Sequence, residues 1–218
     1  NPEIFVKSEN IIFVSIAYRL GIFGWLSHPE LREQNGIDSS SNFGLLDQIM
    51  ALKWIKENIQ FFGGNPNNIT IFGESAGGQN VIALYSSPLA KGLFDRAISQ
   101  SGGTSVTSIK DAEKINRSDP RYISSYKNRH VTTEEWVNIL NKKGLVPSKF
   151  GEKNNLFDLR SLDSLSLMSG IDKGEFWSSQ RDLARIISDN VVIPEEGILE
   201  TLKDASKHAN VPIILGIN

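Results

Sequence analysis

The sequence has no cysteine and almost no excess of charge of either sign. Without cysteine the chain has no disulfide framework and no thiolate chemistry. This favours a reducing compartment, but many exported proteins also lack cysteine. Its 218 residues include 23 lysines and arginines against 25 aspartates and glutamates, for a formal net charge of −2. No basic block stands out. We therefore expect neither nucleic acid nor an anionic membrane surface as a partner.

Long apolar runs and ligand-binding motifs are also missing. The longest apolar stretch, residues 11–20, is interrupted by Ser15 and Arg19 and is too short to cross a bilayer, so no transmembrane segment is expected. No His/Cys cluster, phosphate loop or calcium loop occurs, so we expect no metal and no cofactor. The chain opens with Asn1-Pro2 instead of Met, so a targeting segment could precede it and the compartment is undetermined.

Apolar segments alternate between strand-like and helix-like character in the first half of the sequence. The predicted elements are a strand buried on both faces at 10–18, a helix at 42–62, a strand at 69–72, a helix at 76–86 and a strand at 96–100. Such alternation is typical of a mostly parallel sheet flanked by helices. The sequence therefore predicts the α/β class.

Helical signals replace this alternation over residues 104–189, where no strand is predicted. The clearest helix has Thr132 or Thr133 as its N-cap, Glu134 and Glu135 in its first turn, and Gly144 after its end. A helix at 195–207 and a buried strand at 211–217 then restore the earlier pattern. We interpret residues 104–189 as a helical insertion within one domain over residues 1–218.

A Gly73-x-Ser75-x-Gly77 motif links the predicted strand at 69–72 to the next helix. This spacing is typical of a nucleophile elbow, in which a sharp strand-to-helix turn projects the serine hydroxyl above the sheet. Small residues on both sides let the backbone pass close to itself. The amide of Ala76, at the start of the helix, would point toward the oxyanion of a tetrahedral intermediate. The motif predicts Ser75 as a nucleophile.

Several longer stretches, taken together, resemble the type-B carboxylesterase and cholinesterase family. In the family's order they are YRLG at 18–21 with FG at 23–24, NFGLLDQ at 42–48, FGGNP at 62–66, FGESAGG at 72–78, and GLFDRAI at 92–98 followed by QSG at 100–102. Residues 212–218 resemble the strand that precedes the family's acidic triad member. Ala17 departs from the asparagine that the family usually has there.

The resemblance implies a partial α/β-hydrolase fold and a cofactor-independent hydrolase of small-molecule esters with a Ser–Glu–His triad. Ser75 would be its nucleophile and Ala76 an oxyanion-hole donor. Glu74 would line the active site beside the serine, the alternative being a solvated turn residue. Helical phase places Asp47 on the apolar side of its helix, where a buried carboxylate needs a partner. Arg19 is the expected partner, and the resemblance implies the same structural ion pair. The alternative is an exposed Asp47.

Other required parts of the triad enzyme are expected outside this chain. The resemblance implies a His-Gly-Gly-Gly loop before Asn1, the triad glutamate shortly after Asn218 and the triad histidine much later. We therefore expect a central fragment that is inactive alone. His28, His130 and His208 are expected to be surface residues and not the catalytic base.

Two other functions and one set of aromatic residues are left open by the sequence. A non-catalytic adhesion protein is one alternative, although an intact elbow argues against it. A thioesterase or amidase on the same fold is the other. Trp136, Phe176 and Trp177 in the insertion could line a substrate gorge or pack in a core.

Overall fold

The structure is a computed structural model that describes residues 2–114, 130–171, 182–183 and 186–217. Its α-helices in these ranges are α1 (Pro2–Glu9), α2 (Gly21–Gly24), α3 (Pro29–Arg32), α4 (Phe43–Asn58), α5 (Ala76–Ser86), α6 (Ile109–Glu113), α7 (Thr133–Lys142), α8 (Asn155–Arg160), α9 (Ser164–Met168) and α10 (Gly197–Thr201). Short 3₁₀ helices cover Gly36–Ser39, Ile59–Phe62 and Pro88–Ala90. The strands are β1 (Thr70–Glu74), β2 (Arg96–Gln100), β3 (Thr107–Ser108), β4 (His130–Val131), β5 (Asp182–Leu183), β6 (Ile187–Ser188) and β7 (Ile213–Gly216).

The chain divides into two compact units. The first, called the sheet unit, contains residues 1–19, 45–104 and 199–218. The second, called the helix-rich unit, contains residues 20–44 and 105–198.

The sheet unit is built on three parallel strands in the order β1-β2-β7. Helix α5 connects β1 to β2 and packs against both strands. In the register of the sheet, Glu74 lies opposite Gln100, and Gln100 lies opposite Gly216. All three strands therefore end at one edge, the carboxyl edge of the sheet, which is where α/β proteins place functional loops.

Helix α4 confirms the predicted pattern of apolar residues. Five apolar side chains of the helix and the turn after it are at most 7% exposed: Leu45, Ile49, Leu52, Ile55 and Ile59. A 3₁₀ turn extends the helix to Phe62, and Gly63 then ends it with a left-handed backbone of φ 84°. Met50 and Trp54, on another side of the helix, are 61% and 51% exposed.

The strand predicted at residues 10–18 is not formed, and this prediction is wrong. Residues 11–20 are in neither a helix nor a strand, and Ile11, Ile12, Phe13 and Val14 are 36–43% exposed. The ring of Phe13 packs edge-on against Phe72 of β1, with 5.8 Å between the ring centroids. Apolar composition favours a strand, but a strand also needs a hydrogen-bonded neighbour, and none of the described strands pairs with this segment.

The helix-rich unit has a core around α7. Thr132 is its N-cap and Gly144 follows its end with φ 71°, as the sequence predicts. Thr132 also forms a capping box with Glu135. Trp136 is 2% exposed and donates from Nε1 to the carbonyl of Leu167 at 3.0 Å, so it has a core role. Phe176 and Trp177 lie outside the described residues.

Strands do occur in the segment that was predicted to be helical. Two parallel pairs form, β3 with β6 and β4 with β5, each strand being two residues long. Such short pairs leave no alternating pattern in the sequence, which explains why they were missed. Helix α10 is likewise shorter than the helix predicted at 195–207, whereas β7 lies within the strand predicted at 211–217.

Candidate active site

Ser75 occupies the sharp turn between β1 and α5, at the carboxyl edge of the sheet. Its backbone has φ 53° and ψ −114°, a conformation that is strained for a residue with a side chain. The Ser75 N–H donates to the carbonyl of Gln100 at 2.8 Å, and the Ser75 carbonyl accepts from the N–H of Gln79 at 2.9 Å. Strand β2 and the first turn of α5 therefore hold the strained residue from both sides.

Gly73 provides the close backbone contact within this turn. A Cβ atom at Gly73 would lie 2.5 Å from the carbonyl carbon of Gly77 and 2.6 Å from its oxygen. A Cβ atom at Gly77 would meet nothing within 4 Å among the described residues. Of the two glycines in the motif, only Gly73 is therefore required by the local packing.

A second glycine contact, which the sequence did not predict, fixes α5 on the end of β2. A Cβ atom at Gly102 would lie 2.4 Å from the carbonyl carbon of Gly78, and one at Gly78 would lie 2.6 Å from the carbonyl oxygen of Gln100. The buried hydroxyl of Ser99 donates to the Gly78 carbonyl at 3.0 Å. The FGESAGG and QSG stretches contain these residues, but only the fold brings them together.

The groups at the tip of the elbow face solvent. Glu74, Ser75 and Ala76 are all exposed, and the Ser75 hydroxyl has no hydrogen-bond partner among the described residues. Ala76 is the first residue of α5, where a backbone N–H has no acceptor within the helix. The helix dipole adds partial positive charge at the same place. An oxyanion beside Ser75 would be stabilised by this amide.

His28 is buried, so the prediction that it lies on the surface is wrong. The side chain is 0% exposed and caps α3, its Nδ1 accepting from the N–H of Glu30 at 3.2 Å. Its Nε2 therefore carries the ring proton and donates to Oδ1 of Asn155 at 2.9 Å. Because Asn155 is 127 positions away in the chain, local sequence could not reveal this pairing. Both ring nitrogens are engaged, so His28 is not free to act as a base.

His208 lies at the opposite end of the sheet unit from Ser75. It is half-buried and stacks on Tyr85, with 5.2 Å between the ring centroids. Tyr85 lies near the end of α5, whereas Ser75 precedes its start, so the two are about 15 Å apart along the helix axis. The side chain of His130 lies outside the described residues.

Arg19 and Asp47 form a bidentate ion pair in the sheet unit. Arg19 donates to Asp47 from Nη2 at 2.7 Å, from Nε at 2.8 Å and from its backbone N–H at 2.9 Å. Hydrogen bonding with Arg19 lowers the pKa of the Asp47 carboxyl, and the same contact raises the pKa of Arg19. The side chains are 26% and 52% exposed for Asp47 and Arg19, so the carboxylate is less buried than helical phase suggested.

Within the described ranges, no group of three or more His, Asp or Glu side chains is arranged to hold a metal ion. No described helix combines the length and the apolar character needed to cross a membrane.

A strained serine between a parallel strand and a helix defines the class of α/β hydrolases. Solved structures of that class share this architecture. A carboxylesterase of Geobacillus stearothermophilus matches with a TM-score of 0.70 and 30% identity, over 98% of this chain and 38% of that one. The structure of a PNB esterase matches with a TM-score of 0.63 and 29% identity, over 92% of this chain and 37% of that one.

The chain belongs to the carboxylesterase family, whose sequence model matches residues 1–218. Carboxylesterase 1D of Rattus norvegicus is 39% identical over 222 residues, which cover 99% of this chain and 35% of the relative. Para-nitrobenzyl esterase of Bacillus subtilis is 49% identical over 102 residues, covering 47% of this chain and 20% of the relative. The chain spans about a third of the length of the full-coverage relatives it matches.

Proposed function

We propose that the protein is a carboxylic ester hydrolase in which Ser75 forms an acyl-enzyme. The observation that carries this proposal is the backbone of Ser75, whose strained φ of 53° and ψ of −114° are held by β2 and α5. A linker between a strand and a helix has no need of such strain, whereas a nucleophile that must project above the sheet does. Family membership and relatives named as carboxylesterases support the same reaction.

The reaction follows from the groups at the elbow. The Ser75 hydroxyl attacks the acyl carbon of a small ester while a base takes its proton. The Ala76 amide donates to the oxyanion of the tetrahedral intermediate. The bond between the acyl carbon and the alcohol oxygen then breaks, and the base returns the proton to the departing alcohol. Water repeats the sequence on the acyl-enzyme, releasing the carboxylic acid and free Ser75.

We propose a Ser–Glu–His triad in which the base is neither His28 nor His208. His28 uses both ring nitrogens to hold α3 and Asn155, and His208 stacks on Tyr85 away from the elbow. The exposed carboxylate of Glu74, adjacent to Ser75, would line the approach of the substrate. Its negative charge would favour esters with a cationic group by a modest factor.

Steady-state hydrolysis of p-nitrophenyl acetate and butyrate by the protein expressed from its full coding sequence tests this function. Ser75→Ala is expected to lower kcat by about 10⁴-fold or more, since the acyl-enzyme step is lost. Ser206→Ala is the matched control, because Ser206 is an exposed serine remote from the elbow. Equal activity of the two variants would show that hydrolysis does not depend on Ser75.

A further inference from the structure

An N-x-T sequence occupies residues 68–70. Asn68 and Ile69 precede β1, and Thr70 is the first residue of the strand. This is the acceptor pattern for asparagine-linked glycosylation, provided that the middle residue is not proline. A second match, Asn116-Arg117-Ser118, lies outside the described residues. A three-residue pattern alone is weak evidence for glycosylation, so the proposal depends on the structure around Asn68.

Asn68 lies in an exposed turn at the start of β1. Its N–H donates to the carbonyl of Asn65 at 3.1 Å, which closes the turn. Both Asn68 and Thr70 are exposed, so the asparagine and the hydroxyl residue of the pattern are accessible on the folded surface. Glycosylated asparagines are characteristically found on surface turns and loops, because the attached sugar is bulky and hydrated.

Arg96 fixes the orientation of the Asn68 amide. Its Nη1 donates to Oδ1 of Asn68 at 2.5 Å. A guanidinium has only donors, so the atom facing it must be the oxygen and not the nitrogen of the amide. Nδ2 of Asn68 therefore points away from Arg96, and it has no hydrogen bond to any described residue. Nδ2 is the atom to which the sugar is attached.

We propose that Asn68 is an acceptor site for an asparagine-linked oligosaccharide, transferred from a lipid diphosphate-linked donor. In that transfer Nδ2 of Asn68 forms a bond to the anomeric carbon of the first sugar. The bond between that carbon and the diphosphate oxygen breaks, the lipid diphosphate leaves, and Nδ2 loses one proton. No oxidant or reductant is needed.

The position of Asn68 keeps the sugar away from the elbow. Strand β1 begins at Thr70 and ends at Glu74, so Asn68 and Ser75 lie at opposite edges of the sheet. Five residues of extended strand separate the two edges by about 17 Å. Glycosylation of Asn68 is therefore compatible with an open active site. The proposal of glycosylation and the proposal of ester hydrolysis through Ser75 are independent of each other.

The test is translation of the 218-residue chain behind a secretion signal in the presence of endoplasmic reticulum microsomes. Asn116→Gln is included throughout, so that only Asn68 remains as an acceptor pattern. Glycosylation is read as a gel shift that peptide N-glycosidase removes. Hydrolytic activity has no part in this readout.

Four further variants locate the modification. Asn68→Gln and Thr70→Ala are expected to abolish the shift, because each destroys the pattern. Thr70→Ser, which preserves the pattern, is expected to keep it. Asn67→Gln is the matched control, since Asn67 is an exposed asparagine of the same turn that is not followed by the pattern. A chain that shows no enzyme-sensitive shift, or a shift that persists in Asn68→Gln, would overturn the proposal.

Discussion

The backbones of Gly73 and Gly77 approach so closely that a Cβ atom on Gly73 would lie 2.5 Å from the carbonyl carbon of Gly77. The reverse does not hold, since a Cβ atom on Gly77 would meet nothing within 4 Å among the described residues. The elbow therefore excludes a side chain at Gly73, two residues before Ser75, but leaves space for one at Gly77, two residues after it.

Alanine substitutions at these two glycines are expected to have unequal effects. Gly73→Ala forces a displacement of the turn and should lower the free energy of unfolding by about 2 kcal/mol or more. Gly77→Ala should change it by less than about 1 kcal/mol, because alanine is favoured over glycine in a helix. Urea unfolding of the protein expressed from its full coding sequence, followed by circular dichroism, measures both values. Equal losses in the two variants would contradict the asymmetric contact.

The Arg19–Asp47 pair predicts a dependence of stability on acid. Because Arg19 lowers the pKa of Asp47 in the folded state, the unfolded state binds the proton more readily. The stabilisation is therefore fully present above the ordinary range of aspartate and is lost as the pH falls through the lower, folded pKa. The pair is partly exposed, so we expect Asp47→Asn to cost about 1 kcal/mol at pH 7.

The control for this prediction is Asp38→Asn, which makes the same change of charge at an exposed residue of a 3₁₀ helix. Urea midpoints of the two variants and the parent protein, all expressed from the full coding sequence, are compared at pH 7 and again at pH 2–3. The Asp47→Asn difference should shrink in acid, whereas Asp38→Asn should match the parent at pH 7. A difference for Asp47→Asn that is independent of pH would mean that the carboxylate charge is not responsible.

Strand β7 predicts self-association of the 218-residue chain. Among the described strands only β2 pairs with β7, and Ile214 and Leu215 on β7 are 64% and 66% exposed. An apolar strand with one unpaired edge is a template for pairing with another chain. We expect oligomers that grow with concentration in light scattering, and we expect Leu215→Lys to reduce them.

Leu199→Lys is the matched variant for this effect. Leu199 is similarly exposed, at 57%, but belongs to helix α10 and not to a strand edge. Its replacement should leave the association largely unchanged. A parent chain that remains monomeric at every concentration would show that the exposed edge of β7 does not promote self-association.

The parts of the fold that were predicted correctly depend on local sequence. Helix α4 has apolar residues at helical spacing, and Thr132 and Glu135 lie three residues apart, as a capping box requires. Strand β2 matches its predicted range because its ends are marked by polar residues. The contacts that determine these helices and strands join residues that are close together in the sequence.

The parts that were missed depend on distant partners. Residues 10–18 have strand-like composition, but their conformation is decided by whether a neighbouring strand is available to pair. The burial of His28 depends on Asn155, and the contact between Gly78 and Gly102 depends on the packing of α5 against β2. The elbow and its strained turn could be predicted from the motif, whereas the hydrogen bonds that join Ser75 to Gln100 and Gln79 were visible only in the structure.

The central claim is that Ser75 is the nucleophile, and the most direct test is to map a covalent adduct. The protein expressed from its full coding sequence is incubated with diethyl p-nitrophenyl phosphate, digested and analysed by tandem mass spectrometry. We predict a diethylphosphoryl group on Ser75 and its absence from Ser75→Ala, with release of one equivalent of p-nitrophenol per active site. Stoichiometric labelling of another residue, or hydrolysis of esters with Ser75 unlabelled, would contradict the claim.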